Sequence, residues 1–361
     1  MNTADSTRET SNISVSQINI LSEQEAALLQ NVIAESQLIV ITCHKSPDGD
    51  ALGSSLGWAE YLRTQGKEPV IVVPDGYPDF LCWLSNTEKI IRHDKHTEKA
   101  QLLLKTADLI FCLDYNATQR LENMSGDVEA SQATKILIDH HLDPTVDAQL
   151  IVSHPEMSST SEMIFRIIWQ LGGFEQMGKK CAVPIYCGMM TDTGGFTFNS
   201  SSPQIYFIIS LLLTKGINKD KIYRNVYNSY SPWAIKLRGY VMSQKLNVID
   251  DLHAAYFAIS KKELADYHFV RGDAEGLVNE PLRIKGMRLS ISLREDDRND
   301  NLIWVSLRSV DDFPCNEMAA RFFNGGGHAN ASGGRLNCSL EEAEQIVVEA
   351  IKSFSRQLTQ R

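Results

Sequence analysis

The chain has no run approaching the roughly 18 consecutive apolar residues that a membrane-spanning helix requires, so no partition into a bilayer is expected. Its start, "MNTADSTRETSNISVSQ", lacks both a basic n-region and an apolar h-region, and no secretory signal is read there. Positive charge is also short. With Lys+Arg at 35 against Asp+Glu at 45, the formal net charge is -10 and the pI is near 5.4. That balance excludes a broad basic face that wraps long duplex nucleic acid, which depends on many phosphate contacts, but leaves room for a small, locally neutralised site for a short anion. The seven cysteines, Cys43, Cys82, Cys112, Cys181, Cys187, Cys315 and Cys338, form no CxxC pair and sit mostly in apolar runs such as "LIFCLD". Reduced thiols in a cytoplasmic core fit this pattern better than disulfides or a zinc-thiolate site. Neither an internal repeat nor a low-complexity tract is present.

What is there suffices for two cores, since 361 residues exceed one comfortable domain and the 43% hydrophobic and 22% charged fractions are ordinary for a globular protein. Short Val- and Ile-rich runs at 37–44, 69–74, 107–114 and 135–141 alternate with helix-compatible segments at 51–65 and 97–105. Continuous apolar strands between helices predict an α/β fold with a parallel sheet covered on both faces. "SSTSEMIFRIIWQLGG" reads as a helix with a capping box, Ser159 at the cap and Glu162 three residues on. Residues 203–247 read as a run of helices, and "HAAYFAIS", "GMRLSISLRE" and "NLIWVSLRS" then read as alternating strands. The expected organisation is a polar arm over 1–20, a catalytic domain over 21–205, a helical linker over 206–247 and a smaller α+β domain over 248–361.

The stretch "KILIDHHLDP" carries the functional question, because a buried strand runs into Asp139, His140 and His141. Open α/β sheets place ligand sites at the carboxyl ends of their strands. The first strand delivers His44 and, through "KSPDGDALG", Asp48 and Asp50; the third delivers Asp114. The apolar helix "CAVPIYCGMMTD" ends in Asp192, a carboxylate where the helix dipole favours a cation. His44, Asp48, Asp50, Asp114, His140 and Asp192 together offer four carboxylates and two imidazoles without thiolate. Such donors suit manganese or a similar divalent ion, and they exceed what one ion needs. Two divalent ions would balance four aspartates, and paired ions are the usual device for hydrolysing a phosphorus centre.

Four motifs in chain order, "HKSPDGDALGSSLG", "CLDYN", "IDHH" and "MMTDTGGF", together resemble the DHH phosphoesterase superfamily over nearly the whole chain after the arm. "SLRS" and "FNGGGHANASGG" resemble the C-terminal domain that accompanies many of these enzymes, and the length is most similar to the branch of nano-RNases and 3'-phosphoadenosine 5'-phosphate phosphatases. The resemblance implies one ion on His44, Asp48 and Asp114, and a second on Asp50, Asp114, His140 and Asp192, with Asp114 shared. Asp139 would orient a histidine, and His141 would assist the phosphate or the leaving group; a hydrogen-bonded structural histidine is the other reading of His141. The glycine-rich "NGGGHANASGG" admits two readings from its residues alone, an anion-binding nest or a plain turn between helix and strand. The resemblance favours the first, with Arg308, Ser309, Gly325, Gly326, Gly327 and His328 as the nucleotide contacts, joined less specifically by Arg271, Glu275 and Asn279. Arg283 and Arg288 read as solvated strand charges.

The activity thus expected is two-metal hydrolysis of very short oligoribonucleotides to mononucleotides and of 3'-phosphoadenosine 5'-phosphate to AMP. The alternative is a cyclic or linear dinucleotide phosphodiesterase; an exopolyphosphatase or pyrophosphatase, or a catalytically silent nucleotide sensor, ranks below both. The expected partners are short RNA or small nucleotides, with neither long duplex nor membrane. A homodimer is open, since "PWAIKLRGYVM" reads either as an interface or as core.

Overall fold

The computed structural model describes residues 18–270 and 272–360. Residues 1–17 of the expected arm and Arg271 therefore lie outside the described residues. The chain divides into two compact units, the first ending at Asn228 and the second beginning at Ser229.

The first unit opens with helix α1 (Glu23–Glu35), started by a Ser22–Glu25 capping box. There follow β1 (Ile39–Thr42), α2 (Gly49–Thr64), β2 (Val70–Val73), β3 (Ile91–Arg92), α3 (Thr97–Thr106) and β4 (Leu109–Leu113). The chain continues through α4 (Ser125–Ala130), β5 (Thr134–Asp139), β6 (Leu150–Ser153), α5 (Thr160–Gln170), α6 (Lys179–Asp192), α7 (Pro203–Thr214) and α8 (Lys219–Tyr227). The strands form one parallel sheet in the order β3-β2-β1-β4-β5-β6. Alternation along each strand divides its side chains between two cores. Ile39, Ile41, Phe111, Ile136 and Ile138 pack with α2, α5 and α6, whereas Val40, Ile110, Cys112 and Leu137 pack with α3 and α4. The sheet is covered on both faces, as the continuous apolar runs require.

The contact between α2 and α6 is unusually close. A Cβ added at Gly53 would lie 2.5 Å from the Pro184 carbonyl, and one at Gly57 would lie 2.5 Å from the Ile185 side chain. Gly49, Gly53 and Gly57 recur every fourth residue and so line one face of α2, the face laid on α6.

The second unit contains α9 (Pro232–Tyr240), β7 (Asn247–Ile249), β8 (Ala254–Ile259), α10 (Lys261–Asp266), β9 (Leu289–Glu295), β10 (Leu302–Ser309) and α11 (Cys315–Phe322). It ends with β11 (Gly326–His328), β12 (Ala331–Asn337), α12 (Leu340–Ser353) and α13 (Ser355–Thr359). Its sheet runs β11-β12-β10-β9-β8-β7, parallel only between β8 and β9. Helices α11 and α12 close a core on one face, and Leu237 of α9 packs on Phe257 and Ile259 from the other. The helical segment expected over 206–247 is shared: α7 and α8 lie in the first unit, α9 and a π-helical turn over Val241–Lys245 in the second.

Two local expectations are corrected. The glycine-rich stretch is not a plain turn between helix and strand but the hairpin β11–β12, in which a Cβ at Gly325 would collide with the Gly333 carbonyl. Only glycine allows the two backbones so near. Arg288 is not a solvated strand charge: its Nη1 donates to the carbonyls of Gln357 (2.7 Å), Leu358 (3.2 Å) and Gln360 (2.7 Å) at the end of α13, where a cation meets the helix dipole, and it also pairs with Asp312.

Candidate metal centre

In the first sheet β1 lies between β2 and β4, so the connections leave its two sides in opposite directions and open a crevice at the carboxyl ends of β1 and β4. His44, two residues past β1, and Asp114, immediately past β4, meet there. His44 Nδ1 lies 2.8 Å from the Lys45 carbonyl, which fixes the N–H on Nδ1 and turns Nε2 toward Asp114 Oδ2 at 3.4 Å and Asp48 Oδ2 at 3.8 Å. Asp48 is held by its other oxygen, which accepts the Asp50 and Ala51 N–H groups at 2.9 and 3.0 Å and caps α2. Asp114 adopts φ +63°, a left-handed conformation that aspartate tolerates better than most residues, while its N–H donates to the Ile138 carbonyl at 3.1 Å.

A second group forms around the end of β5. His140 Nε2 lies 3.6 Å from Asp114 Oδ1, 3.6 Å from Asp192 Oδ2 and 3.9 Å from Asp50 Oδ2. Asp192 is the last residue of α6, and Asp50 sits in the first turn of α2, so the glycine-mediated approach of these helices brings the two carboxylates together. Asp50 also caps a helix that is not its own: Oδ2 accepts Thr160 N–H at 2.7 Å and Oδ1 accepts Ser161 N–H at 2.8 Å, both in the first turn of α5. Thr160 Oγ1 donates to Asp114 Oδ1 at 3.0 Å. His141 donates from Nδ1 to Asp139 Oδ1 at 2.7 Å and lies 3.8 Å from Asp114 Oδ1. The other Asp139 oxygen, Oδ2, is fully buried without a hydrogen-bond partner.

All eight residues singled out in this half of the chain thus converge in one place, in sets that could each hold a cation: His44 with Asp48 and Asp114, Asp50 with His140 and Asp192, and Asp114 with Asp139 and His141. Electrostatics bears on what fills them. Burial, then the charges of Asp114 and Asp192, push the Asp50 carboxyl well above its ordinary range. Burial would raise Asp114 too, yet the His44 hydrogen bond and the His44, His141 and His140 charges outweigh it and hold Asp114 below the usual carboxylate range. Burial lowers the His44 imidazole, but its bond to Asp114 prevails and the net direction is up. Burial, only partly offset by Asp139, leaves His141 below its ordinary value. A positive charge, proton or metal, is therefore called for between the imidazole Nε2 atoms and the carboxylates facing them.

In the second unit, Arg308 on β10 and His328 on β11 stand in register on either side of Ala331, so one row of the sheet carries both, beside the exposed Gly325, Gly326 and Gly327. Arg308 Nη1 donates to the Leu307 carbonyl at 2.9 Å. Ser309 is occupied by the fold: its hydroxyl donates to the Phe313 carbonyl at 2.7 Å and accepts from Asn330 Nδ2 at 2.9 Å. The carbonyl of Glu275 accepts from Tyr230 Oη and Arg238 Nη1.

The Ser159–Glu162 capping box is half formed. Ser159 accepts the Glu162 N–H at 3.0 Å, but the Glu162 carboxylate turns to Ser158 and to a buried Arg166, 2.6 Å away, because the ion pair needs it there. Sequence reasoning missed Thr160 and Ser161 as supports of Asp50 and Asp114, and it missed Arg120, whose Nη1 donates to the Asp114 carbonyl at 3.4 Å. The only signal for the first pair was the "SSTS" run, read as a cap and nothing more.

An open parallel sheet with an aspartate and histidine cluster at its switch point defines a class of α/β proteins whose site is built for divalent cations. Residues 38–189 match the DHH family, N-terminal domain, and residues 256–357 match the DHHA1 domain; the chain belongs to the DHH family. The crystal structure of an exopolyphosphatase-related protein from Bacteroides fragilis is 46% identical, with a TM-score of 0.90, over 94% of this chain and 99% of that one. The bifunctional oligoribonuclease and PAP phosphatase NrnA of Thermus thermophilus is 27% identical over 87% of this chain and 89% of its own length. The cyclic-di-AMP phosphodiesterase GdpP of Geobacillus thermodenitrificans is 25% identical over 90% of this chain, which spans 49% of that relative. Hydrolysis of phosphoester bonds is the activity that the family and these names support. Among the described residues no helix is long and apolar enough to cross a membrane.

Proposed function

We propose that the chain is a metal-dependent phosphoesterase that releases mononucleotides from very short oligoribonucleotides and converts 3'-phosphoadenosine 5'-phosphate to AMP. The observation that carries this is the convergence of four carboxylates and two imidazoles on one crevice, joined with similarity to NrnA along both domains. The donor set fits divalent ions. His44 and His140 each point Nε2 at carboxylate oxygens, while Nδ1 lies 2.8 Å from the Lys45 carbonyl in His44 and 3.3 Å from the Met157 carbonyl in His140, the tautomer a metal ligand needs. His44, Asp48 and Asp114 would hold one ion, and Asp50, Asp114, His140 and Asp192 a second; oxygen and imidazole donors without thiolate favour manganese. Bound there, the ions would polarise phosphoryl oxygens and acidify water.

The chain's own groups do the rest. Asp139 fixes the ring of His141, which then faces the cluster as a hydrogen-bonding group for a phosphoryl or leaving oxygen. Thr160 and Ser161 keep Asp114 and Asp50 oriented, so the ligands are preorganised before substrate arrives. On the second unit, Arg308 and His328 with Gly325–Gly327 form the anion-binding row, arginine supplying a fork for phosphate.

A second reading, cyclic or linear diadenylate hydrolysis, is favoured by the likeness to GdpP over 90% of the chain. Product analysis on the manganese-loaded protein separates the two, with a labelled two-to-five-nucleotide RNA, linear and cyclic diadenylate, 3'-phosphoadenosine 5'-phosphate, pyrophosphate and polyphosphate as substrates. Mononucleotides from the RNA and phosphate from the bisphosphate are expected. A marked preference for cyclic diadenylate would replace the first reading with the second, and cleavage of pyrophosphate or polyphosphate alone would overturn both.

A further inference from the structure

Arg120 stands in "DYNATQRL", six residues beyond Asp114, on the connection that leaves β4. Its carbonyl accepts the Lys45 N–H at 2.8 Å, and Lys45 follows His44 directly. Its guanidinium donates to the Asp114 carbonyl at 3.4 Å. The residue is thereby tied to both loops that border the switch-point crevice. Among the described residues Arg120 forms no ion pair with a carboxylate, although it is half-buried and its guanidinium lies beside the cluster of aspartates.

A half-buried guanidinium that spends one donor on a long hydrogen bond to a carbonyl has most of its N–H fork uncommitted. Those uncommitted N–H groups can be met by an anion that enters the crevice. Four aspartates and two divalent ions are near neutrality together, so the charge of an incoming phosphoryl group is left to be balanced by a residue at the rim. We infer that Arg120 binds the phosphoryl oxygens of the substrate at the metal centre, a phosphate anchor that belongs to the first unit and is separate from Arg308. This inference rests on the phosphoesterase reading above. The competing role is structural: through the Asp114 carbonyl, Arg120 would merely hold the left-handed backbone of that ligand.

Arg120→Ala and Arg120→Lys, compared with the wild type as full manganese-loaded chains, tell the roles apart. The measurements are the KM and kcat for a diribonucleotide, the affinity for inorganic phosphate by calorimetry, and the affinity for Mn2+. For Arg120→Ala we expect phosphate affinity to fall about 10- to 100-fold, in line with the loss of charge-assisted hydrogen bonds, with KM rising alongside and Mn2+ affinity unchanged. Arg120→Lys keeps the charge without the fork and should recover part of the phosphate affinity. Phosphate affinity equal to that of the wild type in both variants would overturn the inference. So would a parallel loss of Mn2+ affinity, which would mark Arg120 as a positioning residue for Asp114. Should Arg120→Ala not fold, Arg120→Lys with wild-type phosphate affinity would overturn it. If the wild type cleaves none of the phosphoesters, the functional reading fails, and the calorimetric phosphate titration still decides the role of Arg120.

Discussion

Asp50 shows how much one side chain is asked to do. It is 1% exposed, it receives two backbone N–H groups from α5, and it faces His140, Asp114 and Asp192. Asp192 differs: its side chain is a quarter exposed and stands at the C-terminal end of α6, where its charge opposes the helix dipole. The two residues therefore separate stability from ligation. In metal-free protein, Asp192→Ala should raise Tm by relieving repulsion at the site, a gain of the kind expected when a functional charge is removed. Mn2+ at about 100 times its Kd should stabilise the wild type by about 2.7 kcal/mol, or about 5 to 10 °C in Tm for a unit of this size, and Asp192→Ala should lose most of that rise. Thermal unfolding with and without Mn2+ checks both arms; a full Mn2+-dependent shift in Asp192→Ala would remove Asp192 from the ligand set.

This scale was also the most legible from sequence. His44, Asp114 and the Asp139–His141 triplet were found because each ends an apolar strand, and strand ends are where an open α/β sheet exposes functional groups. Thr160, Ser161 and Arg120 carry no such mark. Their places depend on how α5 and the loop after β4 pack, which no periodicity reports.

At the scale of elements, the site depends on the crossing of α2 and α6, since one carries Asp50 and the other Asp192. A methyl group at Gly53 meets the Pro184 carbonyl at 2.5 Å and the Gly188 backbone at 2.9 Å, so Gly53→Ala must push the helices apart. It should cost about 1 to 3 kcal/mol and reduce turnover as well, because the carboxylates separate. Gly126 in α4 is the control: nothing lies within 4 Å of its added Cβ, and Gly126→Ala should leave activity intact while raising stability by up to about 1 kcal/mol. Urea unfolding and turnover of both variants test the contrast, and a wild-type Gly53→Ala would contradict the role given to this helix pair.

The long apolar strands and amphipathic helices were visible in the sequence. The short edge strands β3, β6, β7 and β11 were not, because two to four residues carry no pattern and their pairing is dictated by the strand alongside. Strand β11 is the extreme case, a strand made of Gly326, Gly327 and His328, in which absence of side chains rather than propensity allows the pairing.

At the scale of the whole molecule, a net charge of -10 is compatible with binding nucleotides only if the anion is met locally. In the proposed account the aspartate and histidine cluster with Arg120 at its rim in the first unit, and the Arg308–His328 row in the second, would supply that local balance. The α/β class, the parallel sheet and the change of texture toward a second, smaller sheet could all be read from hydrophobic runs and their spacing. The place where the chain divides could not, because the helices on either side of Asn228 look alike in sequence although α8 packs in one core and α9 in the other.

Asp114 is proposed to serve both halves of the cluster, lying 3.4 Å from His44 Nε2 and 3.6 Å from His140 Nε2. The most direct test is the initial rate of mononucleotide release from a diribonucleotide by metal-saturated wild type and by Asp114→Asn, which keeps the size of the side chain and removes its charge. Turnover by the wild type with a loss of at least about 1,000-fold in the variant, more than about 4 kcal/mol of transition-state stabilisation, is the predicted result. Near-equal rates in the two proteins would contradict the account.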